Sequence, residues 1–127
     1  MTPDVPSVLS ELATLLLRNA LPDTPEAERV SALGLSSMLL NIAAEVWDGA
    51  AEQLVQENRA LALLLGDTAS ETDLRLSVLR AENARLRATL IEAHIAAEQA
   101  GDTAREDAIW AELRASTERR KLSVSLV

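Results

Sequence analysis

The sequence predicts an all-α protein of four helices, two of them long. Three observations support this. Ala and Leu dominate the 127 residues and aromatic residues make up only 2% of them, whereas sheets favour β-branched and aromatic side chains. Apolar residues recur at helical spacing over long stretches. Pro and Gly stand mostly at segment ends, where they end helices. The length suits one domain, which we predict to span residues 1–127.

The first helix is predicted from about Val5 to Asn19, where apolar residues recur every three or four positions. The segment LPDTP (21–25) closes it, because two prolines so close together force a turn. We expect Thr24 to cap the second helix and Pro25 to occupy its first position.

The second helix is predicted to run to Leu65. Counting in sevens gives an unbroken row of large apolar residues: Leu33, Leu40, Trp47, Leu54 and Leu61. The companion positions are mostly small: Val30, Ser37, Ala44, Ala51, Asn58 and Leu65. Such a heptad is typical of coiled-coil packing between long helices, and it places Trp47 in the core. Because the row keeps its phase across Gly34 and Gly49, we predict one continuous helix.

Gly66 is expected to end the second helix. The segment that follows, GDTASETD (66–73), contains two overlapping capping boxes, which pair Thr68 with Glu71 and Ser70 with Asp73. The third helix is therefore predicted to begin near residue 69 and to run to about Ala100.

Gly101 separates the third helix from the fourth. Thr103 and Glu106 form a further capping box, which opens a helix predicted to reach about Arg120. The tail over 121–127 alternates apolar and polar residues, and we expect it to be an extended strand or disordered.

The lengths of the two central helices predict their arrangement. At 1.5 Å per residue they measure roughly 60 and 48 Å, whereas a compact chain of this length has a radius of gyration of about 14 Å. We therefore predict an antiparallel hairpin in which residues pair when their numbers sum to about 135. The two short helices are expected to pack at its open end.

The tip of this hairpin carries more leucines than two helices bury. Large exposed apolar patches mark interfaces, so we predict a homodimer that docks through the tip with twofold symmetry. The residues assigned to self-association are Asn58, Leu61, Leu64, Leu65, Leu74 and Val78.

A Glu-Asn pair occurs twice, in VQENRALALLL (55–65) and LRAENARLRATL (79–90). An interior Asn costs stability but fixes register and oligomeric state. On the antiparallel hairpin Asn58 lies near Leu76 and Leu79, about one heptad from Asn83. We therefore expect the two asparagines not to bond each other within a chain, and Asn58 to bond across the dimer or to trapped water.

Charge and composition exclude several classes of function. The net charge of −8 argues against binding to nucleic acid or to anionic membranes. With no Cys, disulfides and thiolate metal sites are absent from the sequence. The N-terminus lacks a basic segment and no apolar run approaches ~18 residues, so neither a signal peptide nor a membrane span is predicted. We expect a cytoplasmic protein without a cofactor.

One acidic group raises an alternative. Glu45, Asp48 and Glu52 share one face of the second helix, and helical nucleoside triphosphate pyrophosphatases hold Mg²⁺ with carboxylates at similar spacing. A Mg²⁺-dependent hydrolase is therefore the alternative function. It needs a second acidic pair on another segment, and Glu26 and Glu28 are wrongly spaced for this, so a solvated acidic face is the favoured interpretation.

No other residues indicate catalysis. His94 is the single histidine and no nucleophile motif accompanies it. The bases of ERRK (118–121) complement the dipole at a helix C-terminus. Trp110 is expected to be half-exposed. A bundle that binds an apolar ligand among Leu39, Ile42 and Ile91 stays open. The leading hypothesis is a non-enzymatic, self-associating interaction or scaffold protein that also serves an unidentified protein partner.

Overall fold

The computed structural model describes residues 4–19, 23–68 and 71–122, which form four α-helices and no strand. The helices are α1 (Val5–Asn19), α2 (Glu26–Leu65), α3 (Leu76–Ala100) and α4 (Thr103–Arg119). The all-α prediction is confirmed. The chain forms two compact units: unit 1 comprises 1–49 with 122–127, and unit 2 comprises 50–121. Most of the predicted tail, residues 123–127, lies outside the described residues.

Side chains before α1 and α2 explain where these helices begin. The Asp4 carboxylate accepts hydrogen bonds from the backbone N–H (3.2 Å) and the hydroxyl (2.8 Å) of Ser7, which caps α1. Thr24 does not cap α2, because its hydroxyl donates to the carbonyl of Arg18 (3.3 Å). Pro25 instead precedes the helix, and its carbonyl accepts from the N–H of Arg29 (3.0 Å). Both boundaries agree with the prediction within one residue.

The end of α2 was also predicted correctly, and the helix is continuous through Gly34 and Gly49. Gly66 adopts a positive φ of 73°, a conformation that glycine enters without steric cost. There the N–H of Asp67 donates to the carbonyl of Ala62 at 2.8 Å, which closes the last turn.

The predicted start of α3 near residue 69 is wrong, because the helix begins at Leu76. Arg75, just before it, is extended and provides no side-chain cap. The Glu71 carboxylate accepts hydrogen bonds from Arg59 on α2, including one of 2.9 Å. The carboxylate that was expected to cap α3 therefore forms a tertiary ion pair with α2 instead. Ser70 of the other capping box lies outside the described residues.

α3 ends where predicted. Gly101 has a φ of 65°, and its N–H donates to the carbonyl of Glu98 at 3.2 Å. The cap of α4 differs from the prediction by one residue: Asp102, not Thr103, accepts the N–H of Arg105 at 3.0 Å. α3 and α4 therefore follow each other through a short, well-capped turn.

The core of unit 1 lies on a different face of α2 from the predicted heptad row. Val5 of α1 packs with Ile42 and Val46 of α2, and Met38 and Leu122 are partly buried against them. Trp47 is 62% exposed, so its predicted core position is wrong. The physical reason is that the N-terminus of α1 covers the Ile42–Val46 face instead.

Unit 2 is a three-helix unit whose core holds residues from α2, α3 and α4: Leu61, Ala62, Leu86, Leu90 and Ile109. Asn58 of α2 bonds to Leu79 and Asn83, whereas Asp67, two residues past the end of α2, bonds to Arg85 further along α3. The core likewise joins Leu61 and Ala62 to Leu86 and Leu90. In unit 2, α2 and α3 therefore run in the same direction.

The antiparallel pairing of α2 with α3 is thus not confirmed for these residues. The predicted proximity of Asn58 to Leu79 is correct, but the pairing rule fails beyond it. The physical reason is the α2–α3 connection, which turns back along α2 where Glu71 pairs with Arg59. α3 and α4 form the antiparallel pair instead, with Arg87 beside Ser116 and His94 beside Trp110.

By length and composition alone, α2 is long and apolar enough to cross a membrane, and it is the one such helix among the described residues. Only 22% of its most apolar 18-residue window is buried in the structure. The core helix of a soluble protein and a signal sequence pass the same test.

Two glycine substitutions should have opposite effects on stability. Gly49 lies inside α2, and among the described residues no atom outside its own turns of helix backbone lies within 4 Å of the position that a Cβ would occupy there. Gly49→Ala should therefore raise the free energy of unfolding by about 0.5–1 kcal/mol. Gly101→Ala should lower it by about 1 kcal/mol, because Ala is strained at positive φ. Urea denaturation checks both; equal shifts of the same sign would contradict the assignment.

Candidate functional site

The most distinctive polar group of unit 2 is a buried carboxylate. Glu57 on α2 is 1% exposed. It accepts five hydrogen bonds from the guanidinium groups of Arg87 on α3 and Arg120 at the end of α4. The bond from Arg87 Nε measures 3.0 Å, and that from Arg120 Nε also measures 3.0 Å. One side chain of α2 thus joins both other helices of the unit.

Further hydrogen bonds extend this group, which we call the polar cluster: Glu57, Asn58, Asn83, Arg87, Ser116 and Arg120. Arg87 also donates from Nε to Asn83 Oδ1 (3.1 Å) and from a terminal nitrogen to Ser116 Oγ (3.2 Å). Gln53 of α2 donates to the carbonyl of Arg119 beside the cluster. The helices are therefore fixed by several directional bonds as well as by apolar packing.

Asn58 and Asn83 bond each other inside the chain, so the expectation that they would not is wrong. Asn83 Nδ2 donates to Asn58 Oδ1 at 2.9 Å, and Asn58 Nδ2 donates to the carbonyl of Leu79 at 3.1 Å. Both asparagines are buried. They meet because α3 begins later and runs parallel to this part of α2. The repeated Glu-Asn pair therefore provides the two halves of one hydrogen bond.

The electrostatics of Glu57 favour a structural role over acid–base chemistry. Burial raises the pKa of its carboxyl, but hydrogen bonds from Arg120 and Arg87 outweigh this and hold the pKa below its ordinary value of 4.5. A carboxylate has about four lone-pair sites, and the two guanidinium groups occupy them. Glu57 is thus an ionised and fully bonded group, neither a proton donor at neutral pH nor a ligand with a vacant oxygen.

Sequence reasoning missed this cluster. One signal in the sequence could have revealed the cluster. Glu57 is the neighbour of Asn58, which is on the heptad row, and a charged side chain beside a packed row requires partners. Arg120 was assigned to the helix dipole as part of ERRK. It caps the C-terminus of α4, but its guanidinium reaches α2.

The residues predicted for self-association fall into two groups. Asn58 and Leu61 are buried inside unit 2, and Leu64 and Leu65 pack partly against its core. Leu74 and Val78 are exposed. Only the second group is exposed at the surface of unit 2.

The predicted acidic face shows no metal-binding geometry. In the ranges 4–19, 23–68 and 71–122, no group of three or more His, Asp or Glu side chains is placed to hold an ion. Asp48 and Glu52 are exposed and Glu45 is half-buried, and Glu52 accepts a hydrogen bond from Gln56 at 3.1 Å.

His94 lies edge-on to Trp110, with ring centroids 5.5 Å apart and an interplanar angle of 89°. Its Nε2 is 3.7 Å from a carboxylate oxygen of Glu98, beyond hydrogen-bond distance. Trp110 is half-exposed, as predicted. This pair packs α3 against α4 and presents no nucleophile.

Comparison with protein-family models, with curated proteins and with solved structures finds no match for this chain.

Glu57→Gln should lower the free energy of unfolding by about 2 kcal/mol at pH 7, because two guanidinium groups lose their counter-charge. The folded-state pKa of Glu57 lies below the unfolded value. Its stabilisation is therefore complete above about pH 4.5 and is lost as the pH falls through the folded-state pKa.

Urea titrations between pH 3 and 8 measure both effects. Below pH 4.5 the variant should lose less stability than the wild type. The exposed Glu52→Gln on the same helix is the matched control and should change stability by less than about 0.5 kcal/mol. Parallel pH profiles for wild type and Glu57→Gln would refute the ion-pair role.

Asn58→Leu and Asn83→Leu should each cost about 1–3 kcal/mol, because each leaves a buried partner without its hydrogen bond. The double variant should cost clearly less than the two single changes added together, since neither amide is then orphaned. A double-mutant cycle by urea denaturation measures this coupling, and additive effects would show that the amide–amide bond contributes nothing.

Proposed function

We propose that this chain is a non-enzymatic helical interaction or scaffold protein that acts by forming a homodimer. The observation that supports it best is the contrast within unit 2. Its three helices are fixed internally by the polar cluster, yet large apolar side chains stay on its surface. Exposed apolar patches on a rigid unit are typical of protein interfaces.

The proposed contact is the connection surface, formed by Leu63, Leu74 and Val78 around the α2–α3 connection. Leu63 is 82% exposed and Leu74 is 62% exposed. Two copies docked through this surface about a twofold axis would bury these side chains against each other. Leu64 and Leu65 pack partly against the core of unit 2, so the proposed contact relies on them less than on the exposed residues.

The charges beside the connection surface favour a defined geometry. Asp67 and Glu82 both pair with Arg85, at 2.9 and 2.7 Å, and Asp73 pairs with Arg75. Charged flanks of this kind add little affinity but restrict the orientations in which two apolar surfaces can meet. An unidentified protein partner, in the cytoplasm, is part of the same proposal.

A Mg²⁺-dependent hydrolase remains the alternative function. It would use Glu45, Asp48 and Glu52, with phosphate oxygens of the substrate completing the coordination of the ion. No feature of the described residues favours it over an interaction protein.

The double variant Leu74→Ser/Val78→Ser should weaken the dimer at least tenfold, because apolar surface leaves the proposed contact. Sedimentation equilibrium over micromolar concentrations measures the dissociation constant, and circular dichroism verifies that helix content is unchanged. Ile95→Ser, on the exposed face of α3, is the matched control and should leave association unchanged. A wild-type chain that is monomeric throughout this range would reject the proposed function.

A further inference from the structure

The heptad row of α2 changes from exposed to buried along the helix. Its first part, which we call the open row, is exposed at every position: Val30, Leu33, Ser37, Leu40, Ala44 and Trp47. The four large members are 64%, 56%, 51% and 62% exposed in that chain order. Further along the same row, Ala51 and Leu54 are half-buried, and Asn58 and Leu61 are buried in unit 2.

The open row has defined ends. One heptad step before Leu33 the row reaches Glu26, a charged residue at the start of α2. After Trp47 the row enters the part of α2 that α3 and α4 cover in unit 2. About 18 residues, or roughly 27 Å of helix, therefore have the heptad pattern of a helix that packs against another helix, yet this face is exposed.

Large and small side chains alternate along the open row in a self-complementary order. In an antiparallel pair centred on the middle of the row, Trp47 faces Val30, Leu33 faces Ala44, and Leu40 faces Ser37. Leu33, Leu40 and Trp47 then each meet a smaller side chain, and the whole row is covered. A parallel pair in register would instead place Trp47 on Trp47 and Ala44 on Ala44, alternating crowding with voids.

We infer that the open row is a self-docking surface that binds the open row of a second copy in antiparallel orientation about a twofold axis. In such an interface each residue contact occurs twice, once in each direction. The inference goes beyond the proposed function, because the surface belongs to unit 1 and is separate from the connection surface.

Gly34 provides an independent observation for close approach. It lies in the interior of α2, where Gly costs about 1 kcal/mol relative to Ala. Among the described residues, no atom outside its own turns of helix backbone lies within 4 Å of the position a Cβ would occupy. No neighbour in the described part of the chain requires a glycine there. Gly34 flanks the open row, and in the antiparallel pair it faces Asn41 of the second copy, so its missing side chain leaves room for that amide.

A lipid surface is the competing occupant, because the open row lies in the apolar stretch that makes α2 resemble a membrane span. That stretch contains Asn41 and Glu45, which are costly in hydrocarbon. The chain's charge of −8 opposes anionic lipid. A face about 27 Å long and about 10 Å wide is small for a permanent interface, so the expected dimer has a micromolar dissociation constant.

Cross-linking tests the register directly, because the native chain contains no Cys to interfere. Leu33→Cys and Ala44→Cys proteins are prepared separately and treated with a short bis-maleimide, alone and mixed. The antiparallel register predicts that only the mixture cross-links efficiently, since like positions lie roughly 16 Å apart along the axis. Efficient cross-linking of each protein alone would overturn the inference in favour of a parallel pair.

A second measurement separates the open row from other contacts. In the Leu74→Ser/Val78→Ser background, where the open row is the remaining contact, Leu40→Glu should raise the dissociation constant at least tenfold and abolish the mixed cross-link. Ile91→Glu, of comparable exposure on α3, should change neither. The Leu74→Ser/Val78→Ser chain should retain the mixed cross-link, so failure of the connection surface and failure of the open row give different results. The competing outcome is that the wild type floats with neutral phosphatidylcholine vesicles, that Leu40→Glu does not, and that no cross-link forms. That result would assign the open row to lipid binding instead.

Discussion

The carboxylate of Glu57 is the constraint on which unit 2 depends. A charge this deeply buried is costly unless it is paired and hydrogen-bonded, and both counter-charges come from other helices, Arg87 from α3 and Arg120 from the end of α4. The unit therefore reaches its compact state only when the three helices converge at this residue. The apolar core of Leu61, Leu86 and Ile109 adds the burial that offsets the loss of chain entropy.

Polar and apolar contacts have different roles along α2. The polar cluster selects one arrangement of α2, α3 and α4, because a shift of one helical turn would separate Asn58 from Asn83 and Glu57 from its guanidinium groups. The apolar members of the heptad row add little such selectivity in unit 2, because apolar contacts are not directional. In the open row, the alternation of large and small side chains replaces hydrogen bonds as the source of register. Specificity within the chain and specificity between chains thus have different chemical origins.

Local signals predicted the helices well, and non-local contacts account for the errors. The bounds of α1 and the stops at Gly66 and Gly101 follow from residues within one turn of each boundary. The prediction of the start of α3 was wrong because the carboxylate of Glu71 pairs with Arg59 on α2 and does not cap the helix. Trp47 was misplaced because periodicity identifies an apolar row but not which face the N-terminus of α1 covers. The role of Glu57 was not predicted for the same reason. A buried carboxylate is identified by its hydrogen-bond partners, and these come from other helices.

The separation between Glu57 and Arg120 also has a consequence in time. The two residues are 63 positions apart, and ribosomes add about 5–20 residues per second. For roughly 3 to 13 seconds after its synthesis, Glu57 therefore has no Arg120 to pair with, even when α3 is already complete. α3 and α4 meet through a local turn, whereas the docking of α2 must wait for the end of α4. The order in which the chain is made thus sets the order in which unit 2 closes.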